Sequence, residues 1–182
     1  MNTNPEAIPS PITDEFGGVI EPVDAYMVRA KAALPDMPED VIDQWLYNHP
    51  QVSDEAEWGW LDLVSLQFTL EEWDARDIPA VDQDQNNAVH TYRYRLDQSE
   101  PADRSRRMSS LVEYFEEHGT WPRSPIFLEN LQGQHASPYG WACSKPYQLL
   151  EGHHRMAVFS LFRDQDRLQD THRIWVARKP TP

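Results

Sequence analysis

A single cysteine, Cys143, is all the thiol chemistry this chain offers. An internal disulfide is therefore excluded, and a reducing compartment is the expected home. Long apolar runs are also missing. None approaches the ~20 residues that a membrane span requires, so no membrane association is expected. Met1 to Pro11 is polar and Pro-rich, with neither a basic start nor an apolar stretch, and does not read as a secretory signal. The expectation is a cytoplasmic protein. Basic residues are scarce as well, 16 Lys and Arg against 30 Asp and Glu, for a net charge of −14. The deficit is uneven. Residues 1–124 carry −16, whereas residues 125–182 carry +2 together with four of the seven His. An acidic surface repels nucleic acid, and the near-neutral C-terminal part tolerates a small anion. The split favours a nucleotide over a nucleic acid as ligand.

Apolar residues make up 40% of the chain, with seven Trp and six Phe, enough for a substantial core. Residues 1–20 are punctuated by Pro and Gly and read as a flexible arm. Residues 21–76 read as mostly helical. Val23, Tyr26, Met27, Ala30 and Leu34 have helical spacing and stop at Pro35. A second helix opens near Pro38 and uses Val41, Ile42, Trp45 and Leu46. Ser53 or Asp54 is placed to cap a third, through Trp58, Leu61, Leu63 and Val64. Ser65 to Leu70 alternates as a strand would, Asp77-Ile78-Pro79-Ala80 reads as a turn into a strand, and Asp82 to Asn87 as a loop. Tyr92 and Tyr94 alternate with Arg93 and Arg95, which predicts a strand over His90–Leu96. The strongest helical pattern covers Asp103–His118, with Met108, Leu111, Val112 and Phe115 on one face and Gly119 as the stop. Short strands at Ser124–Glu129, 147–151 and His172–Arg178, and a helix over 153–163, complete residues 77–182. The class is α+β, with a small mixed sheet preceded by a helical N-terminal region.

Chemistry concentrates in Glu151-Gly152-His153-His154-Arg155, at the predicted handover from strand to helix. A helix start offers backbone N–H groups and a positive dipole end, and is a natural anion site. Gly152 permits a tight turn, Arg155 can fork onto phosphate oxygens, and the two His add donors. Glu151 could hold a metal or take a proton. The bland alternative is a buried junction in which Arg155 pairs with a nearby acid. Guanidinium locked in such a pair would remove the enzymatic reading. Glu129, at the end of the neighbouring strand, is the candidate second acid.

Other patterns carry less. A zinc site from His135, Cys143 and His153 or His154 lacks paired spacing, and adjacent His on a helix diverge by ~100°. Asp82-x-Asp84-x-Asn86 begins like a calcium loop, but Asn87 stands where Gly is required and Arg93 where the final Glu is required. Arg93 and Arg95 could reach phosphate while the tyrosines stack on a base, or form an ordinary exposed strand.

The order helix, Gly119-Thr120-Trp121-Pro122, strand, loop, strand, Glu151-Gly152-His153-His154-Arg155, helix, strand resembles the ParB/sulfiredoxin fold superfamily over about residues 77–178. The resemblance implies a small α+β domain that binds nucleotide phosphates at the Gly-x-x-Arg helix start. Sulfiredoxins carry a catalytic Cys directly after the Gly. His153 occupies that place here, so sulfinic acid reduction is not implied. The CTP-hydrolysing ParB clamps have an acid and an Arg where this chain has His153 and His154. The acid-Gly-His-His-Arg form is similar to that of the superfamily's free serine kinases, with Glu151 in place of their Asp. Thus the resemblance implies an ATP-dependent phosphotransferase or nucleotide hydrolase acting on a small molecule. In it Glu151 would bind Mg²⁺ or serve as base, with His153 and His154 catalytic. Gly152, His153, His154 and Arg155 would bind ATP or another nucleotide. The competing expectation is a non-catalytic interaction protein of antitoxin or immunity type, whose acidic N-terminal half covers a basic partner.

Overall fold

The computed structural model describes residues 8–53, 57–80, 87–140 and 142–180. These residues hold five α-helices and four strands, an α+β arrangement. Two compact units divide them: residues 1–68, 135–141 and 177–182 in the first, and 69–134 and 142–176 in the second. The calcium-like segment 82–86 and the proposed cap Asp54 lie outside the described residues.

In the first unit, helix α1 (Val23–Ala33) and helix α2 (Glu39–Val41), which continues as a π-helix through Ile42–Tyr47, pack their apolar faces together. Tyr26, Ala30, Val41, Ile42 and Trp45 are almost wholly buried there. The expected third helix does not form over 57–65, which holds turns and a 3-10 turn at Leu63–Ser65. Gly59 disfavours helix at its centre. Trp58 instead packs edge-on to Trp45 and tilted against Trp60, with ring centroids at 6.5 and 6.0 Å. Residues 12–20 of the expected arm form a tight turn. The Asp14 carboxylate accepts from the N–H groups of Phe16 and Gly18 at 2.9 and 2.8 Å, and Ile20 N–H donates to Ile12 O.

The second unit is built on a sheet of order β1-β4-β2-β3, from β1 (Gln67–Asp74), β2 (Ile126–Glu129), β3 (Tyr147–Glu151) and β4 (Thr171–Arg178). Strands β2 and β3 are antiparallel, with Ile126 opposite Glu151 and Glu129 opposite Tyr147. Helices α3 (Asn87–Gln98), α4 (Arg106–His118) and α5 (His153–Asp164) bury Val89, Leu96, Met108, Leu111, Phe115, Phe159 and Phe162 in one core with Phe127, Leu149 and Ile174. Residues 90–96 are therefore helix, not the strand their Tyr/Arg alternation suggested. Val89, Tyr92 and Leu96 recur at helical spacing and supply the inner face, and that period wins because it buries more apolar area. Arg93 fastens the result. Its Nε donates to both oxygens of Asp97, and its Nη1 donates to Ser160 Oγ at 2.9 Å and to Asp164 Oδ2 at 2.8 Å.

Helix α4 follows its sequence signals. Ser105 caps it by accepting from Met108 N–H, and Gly119 closes it at φ 63°, a left-handed conformation suited to glycine. The following Thr120 and Trp121 dock on β4. Trp121 Nε1 donates to Arg173 O at 2.8 Å, and Thr120 Oγ1 lies 2.8 Å from Nδ1 of His172. His172 is 2% exposed, and its Nε2 faces Gln169 O at 3.1 Å. A carbonyl can only accept, so Nε2 carries the proton and Nδ1 accepts from the threonine. Burial pushes the His172 pKa below its ordinary value. The unfolded chain therefore binds that proton first as pH falls. Unfolding free energy should decline as pH drops through about 6.5. His172→Gln should decline less steeply in urea titrations, and identical slopes would acquit this residue.

Candidate functional site

Strand β3 ends at Glu151, and α5 begins two residues later with Gly152 as its N-terminal cap residue. Gly152 has φ 111°, a conformation L side chains rarely adopt. A Cβ there would lie 2.7 Å from Pro125 Cβ, so the chain passes too close for any side chain. No side chain caps the helix start. His153 and His154 are half-buried on its first turn, and Arg155 points inward, with Glu151 and Arg155 6% and 9% exposed.

The guanidinium of Arg155 is held within the protein. Its Nη2 donates to Glu151 Oε1 at 3.1 Å, and its Nη1 donates to the backbone oxygens of Arg123 and Ser124 at 3.0 and 3.4 Å. The two residues expected to fork onto phosphate and to hold a metal are thus turned toward each other. The motif's charges meet, but as a buried ion pair. Burial lowers the Arg155 pKa, opposed by Glu151 and aided by Arg123 and Arg107.

His154 stacks on Tyr92 of α3, with ring centroids 3.8 Å apart and planes 20° from parallel. Burial first, then the positive charge of Arg107, drives its pKa down to about 4, with Glu151 pulling the other way. His154 is therefore neutral at pH 7. It can share one ring proton but cannot act as a fixed cation.

Glu129 is not at this junction. The β2–β3 register places it opposite Tyr147, three residues from the pair containing Glu151, or about 10 Å along the strand. As a second acid for Glu151 it is ruled out. Its position in the antiparallel register, invisible in sequence, decides this. Nor do the donors suit a resident Mg²⁺. Glu151 is committed to Arg155, and no group of three or more His, Cys, Asp or Glu is placed to hold a metal among the described residues.

Comparison with known proteins finds no matching family, no similar curated sequence and no similar solved structure. The ParB/sulfiredoxin likeness rests on the chain's own residues.

Two residues missed in the sequence change the electrostatics. Arg107 on α4 and Arg123 before β2 both act on the α5 entrance, as their effects on Arg155 and His154 show. Arg107 is exposed and makes no ion pair among the described residues. Adjacent charges in a run such as Arg106-Arg107 read as a solvated helix start, and only packing brings one of them to the α5 entrance. Glu151→Gln should leave Arg155 buried without its counter-charge and cost about 3–5 kcal/mol in chemical denaturation. Glu151→Met combined with Arg155→Met should recover most of that loss. A double variant as unstable as the single one would show that the ion pair is not the source.

Proposed function

We propose that the second unit binds the phosphates of a small-molecule ligand, a nucleotide being the class that the five-residue motif suggests, without the carboxylate chemistry of a phosphotransferase. The observation that carries this reading is the charge at the α5 entrance. In a chain of net charge −14, the positive charges of Arg107, Arg123 and Arg155 act at one helix start that no side chain caps, and Glu151 is paired with Arg155 there. Helix N–H groups and a solvent-facing guanidinium form a phosphate-binding pair of features. Arg107, not Arg155, is the cation available to the ligand. Arg155 fixes the angle at which α5 meets the sheet.

Each part has a task. Gly152 lets the helix start lie flush against Pro125. His153 and the backbone of the first turn donate to phosphate oxygens, and neutral His154 contributes one further donor. Mg²⁺ would arrive on the nucleotide, not on Glu151. Phosphoryl transfer needs a base and charge stabilisers aimed at the moving group, and Glu151 is spent on Arg155. Binding is the function this geometry supports.

Calorimetry with ATP, CTP, GTP and inorganic phosphate, with and without Mg²⁺, should detect binding by one of them below millimolar concentration. Arg107→Gln should weaken it about tenfold, the worth of one charge-assisted hydrogen bond. No heat from any of the four at millimolar concentration sinks the proposal.

The first unit supports a second reading, an interaction surface for a basic partner. Its turn at 12–20 presents Ile12, Phe16 and Ile20 at 56%, 88% and 61% exposure within an acidic segment. Three apolar side chains exposed together on one turn are the kind of surface that marks an interaction site. A basic partner recovered with the chain should be lost on Phe16→Ser and retained on Arg107→Gln. The opposite pattern would assign the partner to the α5 entrance.

A further inference from the structure

A second cleft lies in the same unit, formed by the later part of α3, the 3-10 turn Pro101–Asp103 and the start of α4, with His154 on one wall. Its volume is about 260 Å³, the space of roughly nine water molecules. We propose that this cleft is a binding site for a small monocarboxylate with an apolar body, of about ten non-hydrogen atoms.

Three observations converge on that chemistry. Arg95 and Arg104 both line the cleft, and neither has a carboxylate partner among the described residues, although acids outnumber bases 30 to 16. The Nε of Arg104 is also sealed from solvent without any hydrogen-bond partner. A buried guanidinium N–H left unpaired is costly, and a planar carboxylate is the group that fits its fork. The other part of the lining is Leu96 and Met108, both buried in the core below, with the Tyr92 ring beside them. These surfaces take a hydrocarbon or aromatic body and strip it of water.

Charge decides between anions. Asp103 is the one carboxylate on the lining, and His154, on the same lining, is neutral at pH 7. Two guanidinium groups against one carboxylate leave the cleft at +1, which matches a monoanion. A phosphate dianion would leave the cleft with a net negative charge beside the Asp103 carboxylate on its lining, where a monoanion leaves none. Ser99 and Ser105 add hydroxyls at the rim. Ser105 already accepts from Met108 N–H as the α4 cap, which leaves its own proton to donate. A whole nucleoside triphosphate exceeds the volume, so this site does not depend on the nucleotide reading.

Titrations of the full chain with phenylacetate, its neutral isostere phenylacetamide, and phenyl phosphate test the assignment. Phenylacetate should bind below millimolar concentration, with the amide at least about tenfold weaker. Arg104→Gln should weaken phenylacetate about tenfold, and Arg95→Gln, at an exposed position that leaves the fold intact, about fivefold. Asp103→Asn should tighten it several-fold. Arg107→Gln should weaken nucleotide far more than phenylacetate, so failure at one site is read separately from failure at the other. No phenylacetate binding up to 10 mM overturns the assignment, as does equal affinity for the amide or tighter binding of phenyl phosphate.

Discussion

The second unit turns on one buried ion pair. Glu151 closes strand β3, Arg155 sits one turn into α5, and the guanidinium reaches past its partner to the backbone oxygens of Arg123 and Ser124. The end of edge strand β3 and the first turn of the helix that follows are thereby fixed at one point to the run leading into β2, some thirty residues earlier in the chain. The angle of α5 on the sheet depends on that point. So does the seating of Phe159 and Phe162 in the core below. Gly152 completes the joint, since it alone leaves room for Pro125.

The pair also governs the chemistry. A buried carboxylate and guanidinium that satisfy each other stay charged and silent, because each would be costly to separate. Anion binding must therefore be sought from cations that the core has not claimed. Arg107, Arg95 and Arg104 meet that description, and they come from α3, the turn after it and α4. The unit places structural charge inside the joint and available charge on the helices around it. His154 stacks on Tyr92, and its burial together with the charge of Arg107 keeps the imidazole neutral.

Much of the fold was legible in the chain. Helix α4 followed from its apolar stripe and its Gly119 stop, because those signals are local and reinforce one another, while its start at Arg106 after the Ser105 cap came only with the structure. The β2, β3 and β4 strands and α5 were visible for the same reason. Residues 90–96 were not. Tyr and Arg alternate there with a period of two, while Val89, Tyr92 and Leu96 repeat at helical spacing, and only burial against α5 chooses between the two patterns. The turns near Trp58 were hidden likewise, since the spacing of their apolar residues matches a helix until the packing of Trp45 is known.

By itself, the sequence determined where chemistry could gather: a glycine between strand and helix, two histidines and an arginine after it, in the one part of the chain that is not acidic. Tertiary structure alone decided which charges are free. Whether Arg155 turns toward a ligand or toward Glu151, whether Glu129 lies opposite Glu151 or opposite Tyr147, and whether Arg104 finds a partner are all questions of how side chains and segments are placed in space. Electrostatic interactions depend on separation and burial, and neither is written in the order of residues.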